Sequence, residues 1–122
     1  MSDTSAVIEE GAKKSGVLWV GLDRPRLAWH AWHDGAIYLV TGGGEQRLPG
    51  LDQLGTVRVT LRSKDNGARL AEFEADVHVV DQAAEAEAVA ALAKERLNAP
   101  DSEHLTGRWA RESTVLRLTP RL

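Results

Sequence analysis

The sequence predicts a mainly β domain with two helices, its strands closed into a β-barrel, and three stretches carry that prediction. Val57, Val59 and Leu61 alternate strictly with Arg58, Thr60 and Arg62, the period-two pattern of a strand with one buried face. From Arg69 to Val80 the alternation runs unusually far, with Ala71, Phe73, Ala75, Val77 and Val79 opposed by Glu72, Glu74, Asp76 and His78. A strand that long bends around a barrel or crosses a sheet junction. Between Gln82 and Leu97 the period becomes helical, with Ala86, Val89, Ala90, Ala93 and Leu97 on one stripe. At 122 residues the chain has the size of one domain, 1–122. Closure into a barrel removes exposed strand edges in so small a protein, while the pattern alone leaves a sandwich open.

The other elements follow in order. Thr4 to Lys14 places Val7, Ile8 and Ala12 at roughly helical spacing with Gly11 weakening the interior, so residues 1–15 read as a short opening helix or tail. Val17 to Leu22 is an apolar run of strand length that stops at Asp23-Arg24-Pro25. Arg26 to Trp32 reads as the next strand, with Leu27, Trp29 and Ala31 on one face and Ala28, His30 and Trp32 on the other. His33-Asp34-Gly35 supplies hairpin chemistry, so Ala36 to Thr41 pairs back against it. Asn98-Ala99-Pro100-Asp101 ends the helix, a polar loop follows, and Thr114 to Thr119 alternates as a closing strand.

Composition removes several classes of function. The apolar share of 43% and charged share of 27% are those of an ordinary globular protein. A net charge of -3 and a pI near 5.8 give no long-range attraction for phosphate backbones, so no nucleic-acid partner is expected. The absence of cysteine excludes disulfides, thiolate metal sites and cysteine nucleophiles, and any redox role therefore needs a bound cofactor. Neither a signal peptide nor a bilayer-spanning run is present, so a cytoplasmic protein without a membrane partner is expected.

Ala36-Ile37-Tyr38-Leu39-Val40 is an apolar strand that ends in Thr41-Gly42; Gly43-Gly44-Glu45-Gln46 forms a polar loop, and Arg47-Leu48-Pro49-Gly50-Leu51 leads to the strand Thr56 to Arg62. This arrangement resembles the second hairpin of the flavin-binding split-barrel family, which includes pyridoxamine 5'-phosphate oxidase, and in particular its small actinobacterial-type members. The likeness covers about residues 16–100 and, loosely, the closing strand. It implies a split β-barrel of the FMN-binding type that forms a homodimer and holds FMN or a deazaflavin in grooves at the dimer interface. The family's phosphate-binding basic residue falls at Arg47, and a second basic group falls at Arg58 or Arg62. A guanidinium matches phosphate oxygens as a planar fork, and glycines such as Gly42 and Gly44 let backbone N–H groups approach an anion. Thr41 and Gln46 complete this loop. The same run also reads as an ordinary flexible hairpin loop. The sequence departs from the family at Gln46, where many members have a further basic residue, and at Pro49-Gly50, where they often have Arg-Asn.

Outside the loop, His30 and His33 fall on opposite faces of an alternating strand, and His78 and His104 complete no ligand spacing, so no metal site is expected. Two readings of His30 stand: a residue satisfied by a backbone group, or a proton donor or substrate contact at the mouth of the cofactor groove. Trp29 and Trp32 read as core or dimer packing. Trp109 lies where the resemblance brings a tail element near the partner's cofactor, and it is taken as a contact across the interface. Arg62-Ser63-Lys64-Asp65 reads as a turn that could also reach a phosphate, and Glu72, Glu74 and Asp76 read as a solvated strand face. No GxSxG, P-loop or dinucleotide fingerprint is present, and no side chain is assigned as catalytic.

The resemblance implies an oxidoreductase that acts on a small molecule, with the cofactor doing the redox chemistry. A second reading is a dimeric module of the same fold that binds without turnover or has a degenerate site. A third is an unrelated β-barrel interaction domain.

Overall fold

Period-two segments become seven antiparallel strands in a computed structural model that describes residues 3–14, 17–42, 45–62, 69–94 and 105–121. They are β1 (Val17–Gly21), β2 (Pro25–Trp29), β3 (Ala31–His33), β4 (Ala36–Thr41), β5 (Thr56–Arg62), β6 (Arg69–Val79) and β7 (Thr114–Pro120). One sheet holds them in the order β2-β1-β5-β6-β7-β4-β3. Its two edges, β2 and β3, follow one another in the chain through His30 alone, so the sheet curls on itself as a half-barrel.

The strand expected from Arg26 to Trp32 is thus two strands, but its alternation survives the break. Ala28 and Trp32 turn to the barrel interior, while Trp29 and Ala31 turn to the outer layer. Local chemistry fixes the neighbouring turns. Asp34 (φ 49°) and Gly35 (φ 81°) both have positive φ between β3 and β4, as a mirror-image two-residue hairpin turn requires. Between β1 and β2 the Asp23 carboxylate accepts from the Arg24 amide at 2.9 Å and from the Arg26 guanidinium at 2.9 and 3.0 Å.

Inside the barrel Leu18, Val20, Ile37, Leu39, Val59, Leu61, Phe73, Leu116 and Leu118 form the main core. The opening helix α1 (Asp3–Lys14) adds Ile8 and Ala12 to it and leaves Val7 44% exposed. A second core lies on the outer side of β4 and β7, where Tyr38, Val40 and Val115 pack beneath α2 (Ala86–Lys94) and α3 (Leu105–Glu112).

α3 occupies a stretch expected to be loop; it buries only Leu105 and Trp109, one turn apart, among four charged or polar side chains, a glycine and the exposed Ala110. α2 starts later than expected, because Gln82 to Glu85 form turns on which the Asp81 carboxylate accepts from the Ala83 and Ala84 amides. Its buried residues are Ala88, Val89 and Leu92, whereas Ala86 and Ala90 are exposed. The larger side chains thus choose the packed face, and alanine, small enough for either side, does not mark it. Asn98 to Asp101 and Leu97 lie outside the described residues. Long alternation in β6 holds as far as Val77; Val79 is 61% exposed beyond the filled interior, and Val80 is buried in the outer core. Among the described residues no helix is long and apolar enough to cross a membrane.

Candidate functional site

The segment after β4 is held by its own hydrogen bonds. Thr41 Oγ1 donates to the Gln46 carbonyl at 3.0 Å and accepts from the Leu48 amide at 3.1 Å. Gly42, at φ 82°, donates its N–H to the Gln46 carbonyl, and its own carbonyl accepts from the Glu45 amide at 3.0 Å. Leu48 and Leu51, 3% and 0% exposed, anchor the far end of the loop in the barrel core. Gly50 at φ 80° turns the chain into a single 3₁₀ turn, Leu51–Gln53.

Beside this loop opens a cleft of about 440 Å³, walled by Arg26, Thr41, Gly42, Arg47, Asp52 and Thr114 and floored by residues 48–50. Two arginines and one aspartate line it. Arg26 is shared with Asp23, whose carboxyl it holds down at a pKa of about 2, chiefly through the side-chain hydrogen bonds. Arg47 is exposed, and among the described residues its guanidinium makes no hydrogen bond or ion pair. Of the two cleft arginines it is the one whose guanidinium is not shared with a carboxylate among the described residues.

Of the residues expected at a cofactor site, the cleft brings together Arg47 and Thr41, and Thr41 braces the loop through its hydroxyl. Gly44 lies outside the described residues. Gln46 is next to Arg47 in sequence, but its side-chain amide faces the other way: it accepts from the Trp29 amide and donates to the Trp29 carbonyl, both at 3.0 Å. It thus pairs with the end of β2 as a neighbouring peptide group would. Arg58 stands on β5 with its guanidinium 3.7 Å from both Glu72 and Glu74. Arg62 lines a second hollow of about 420 Å³ with Trp19, Pro25, Thr60 and Glu72.

His30 and Trp109 are 1% and 0% exposed. His30 Nε2 donates to the Ala12 carbonyl at 2.9 Å, and burial, partly opposed by that bond, pushes its pKa below 6.5. Trp109 stacks at a tilt on Trp29, with ring centroids 6.2 Å apart, and donates from its indole to Glu45 at 3.0 Å. Neither ring presents surface to a ligand within the single chain. Arg26, Asp52 and Thr114 are the cleft residues that sequence reasoning missed. Arg26 reads there only as the first residue of a strand, and only the sheet carries it across to the loop.

No family model and no curated protein matches the chain. Solved structures do. A general stress FMN/FAD binding protein from Xanthomonas citri superposes with a TM-score of 0.67 at 14% identity, covering 100% of this chain and 87% of its own. A Clostridium acetobutylicum protein related to general stress protein 26, of the pyridoxinephosphate oxidase family, gives 0.58 at 17% identity over 97% of this chain and 85% of its own. An F420 reductase gives 0.59 at 16% identity over 93% of each chain. The chain has the split-barrel fold found in flavin-binding, pyridoxamine 5'-phosphate oxidase-like proteins.

Proposed function

We propose that the chain binds a flavin nucleotide, FMN or a deazaflavin, with the phosphate in the cleft at Arg47, and that it serves as an oxidoreductase for a small molecule. The cleft carries this reading: Arg47 and Arg26 line it and Thr114 adds a hydroxyl. These donors fit a phosphate, whose oxygens accept from a guanidinium fork and a hydroxyl together. The names of the fold's relatives, which include FMN/FAD binding and F420 reductase proteins, support the same ligand class. A bound flavin supplies hydride or electron transfer. The chain's own task is to anchor the charged end and shape the pocket.

A second reading, binding without turnover, is favoured by the commitment of the Gln46 amide to Trp29, which leaves the loop one polar group poorer than its sequence suggests. Homodimerisation is part of the proposal: Val17 and Leu27 are 42% and 53% exposed on β1 and β2, where Trp19 pairs with Leu27.

The test is a visible spectrum of the protein after mixing with FMN, or separately a deazaflavin, and desalting, followed by calorimetric titration of Arg47→Ala. A retained chromophore is expected, with the substitution weakening binding by about 1.5–3 kcal/mol, as for a lost charge-assisted hydrogen bond. Unchanged affinity removes Arg47 from the site, and a retained flavin that no small-molecule oxidant or reductant discharges favours the second reading.

A further inference from the structure

The loop that carries Arg47 is fastened to α3 at two points. The Glu45 carboxylate, 0% exposed, accepts from Arg108 at 2.9 Å and from the Trp109 indole at 3.0 Å. Ser113, just past α3, donates its hydroxyl to the Gly42 carbonyl at 3.0 Å. α3 is tied down in turn, because the Gln82 amide donates to the carbonyls of Trp109 and Ser113 at 3.2 Å each. The contacts close a circuit: Trp109 packs on Trp29, the backbone of Trp29 holds the Gln46 side chain, and Gln46 follows Glu45 in the loop.

A buried carboxylate next to an anion-binding cleft needs a reason. Well-packed apolar residues commonly stabilise a protein as much as a buried ion pair does, so such a pair is better explained by what it positions. Its negative charge also opposes an anion, and Arg108 offsets that charge while leaving the directional bonds intact.

We infer that Glu45 is a positioning residue: through it α3 holds the loop in its anion-binding form, so that docking of α3 and occupancy of the cleft at Arg47 are coupled. The inference rests on the flavin-nucleotide reading and extends it to residues that touch no ligand. Because Glu45 acts through the position of Arg47, its effect must depend on Arg47 being present.

FMN titrations, followed by flavin fluorescence, of the wild-type chain, Glu45→Gln, Arg47→Ala and the double variant test this. Glu45→Gln should weaken FMN binding roughly tenfold, and that loss should shrink to less than about twofold in the Arg47→Ala background. Trp109→Phe keeps an aromatic ring against Trp29 and removes one donor to Glu45, so it should lower affinity in the same direction; it guards against a Glu45 variant that does not fold. Hydrogen exchange in α3 should slow when FMN is added to the wild-type chain. Equal affinity of Glu45→Gln and wild type, or an equal loss in both backgrounds, overturns the coupling and leaves the binding reading standing. A wild-type chain that retains no flavin overturns both.

Discussion

His30 lies between α1 and the barrel, its Nε2–H on the Ala12 carbonyl and its buried Nδ1 without a partner among the described residues. Burial holds its pKa below 6.5 in the folded chain. The unfolded chain therefore binds the proton first as pH falls, so the stability due to a neutral His30 is complete above about pH 6.5 and is lost as pH drops from there through the lower pKa of the folded chain. Thermal unfolding followed by circular dichroism between about pH 7.5 and about pH 5 should show a steeper loss of Tm for wild type than for His30→Gln; parallel slopes would assign the pH dependence to other groups. Of the two sequence readings of His30, the bond to a backbone carbonyl is the geometry found. The place of Arg47 beside the loop after β4 came from the family resemblance, which sets a basic residue a short loop after a strand ending in Thr-Gly. Arg26 was not, since its place in the cleft depends on which strands are neighbours, and that information is not local. The Gln46 amide was unreadable for another reason: a side chain that imitates a peptide group leaves no periodic mark.

Among the elements, α1 joins the rest through few large side chains, and Ile8, 1% exposed, is the chief of them. Ile8→Ala should cost about 2–5 kcal/mol, the usual range for a large-to-small change in a closed core. Urea unfolding should show this as a lower midpoint at an unchanged slope; a cost below about 1 kcal/mol would mean that α1 is not part of the cooperative core. β5 and most of β6 were legible because each has one face in the core and one in water. α3 was hidden because eight residues with two large apolar side chains carry too little periodic signal, and its stability comes from what lies beneath it. The break at His30 was hidden because alternation continues across it, so the period shows the faces and not the hydrogen bonding.

For the whole molecule, the strands and their inner faces followed from alternation and the family resemblance chose a barrel over a sandwich, while the outer layer of α2 and α3 depended on contacts far apart in sequence. An apolar face stays uncovered among the described residues: Val17 and Leu27 on the outer side of β1 and β2, with the partly buried Trp19 beside them. If the proposed homodimer uses this face, Leu27→Asp should convert dimer to monomer in sedimentation velocity at little cost to folding, because the residue is already 53% exposed. A dimer that persists would place the interface elsewhere. The pairing of Gln46 with the end of β2 has a bearing on colloidal behaviour as well. An open sheet edge is a template on which a strand of another chain can grow, and the usual protections are proline, charge or short length. Here Pro25 supplies no N–H at one end of β2, and at the other the Trp29 amide and carbonyl are occupied by Gln46. Only the short stretch between them can recruit a strand, so the protein carries its own chain terminator against runaway polymerisation at that edge.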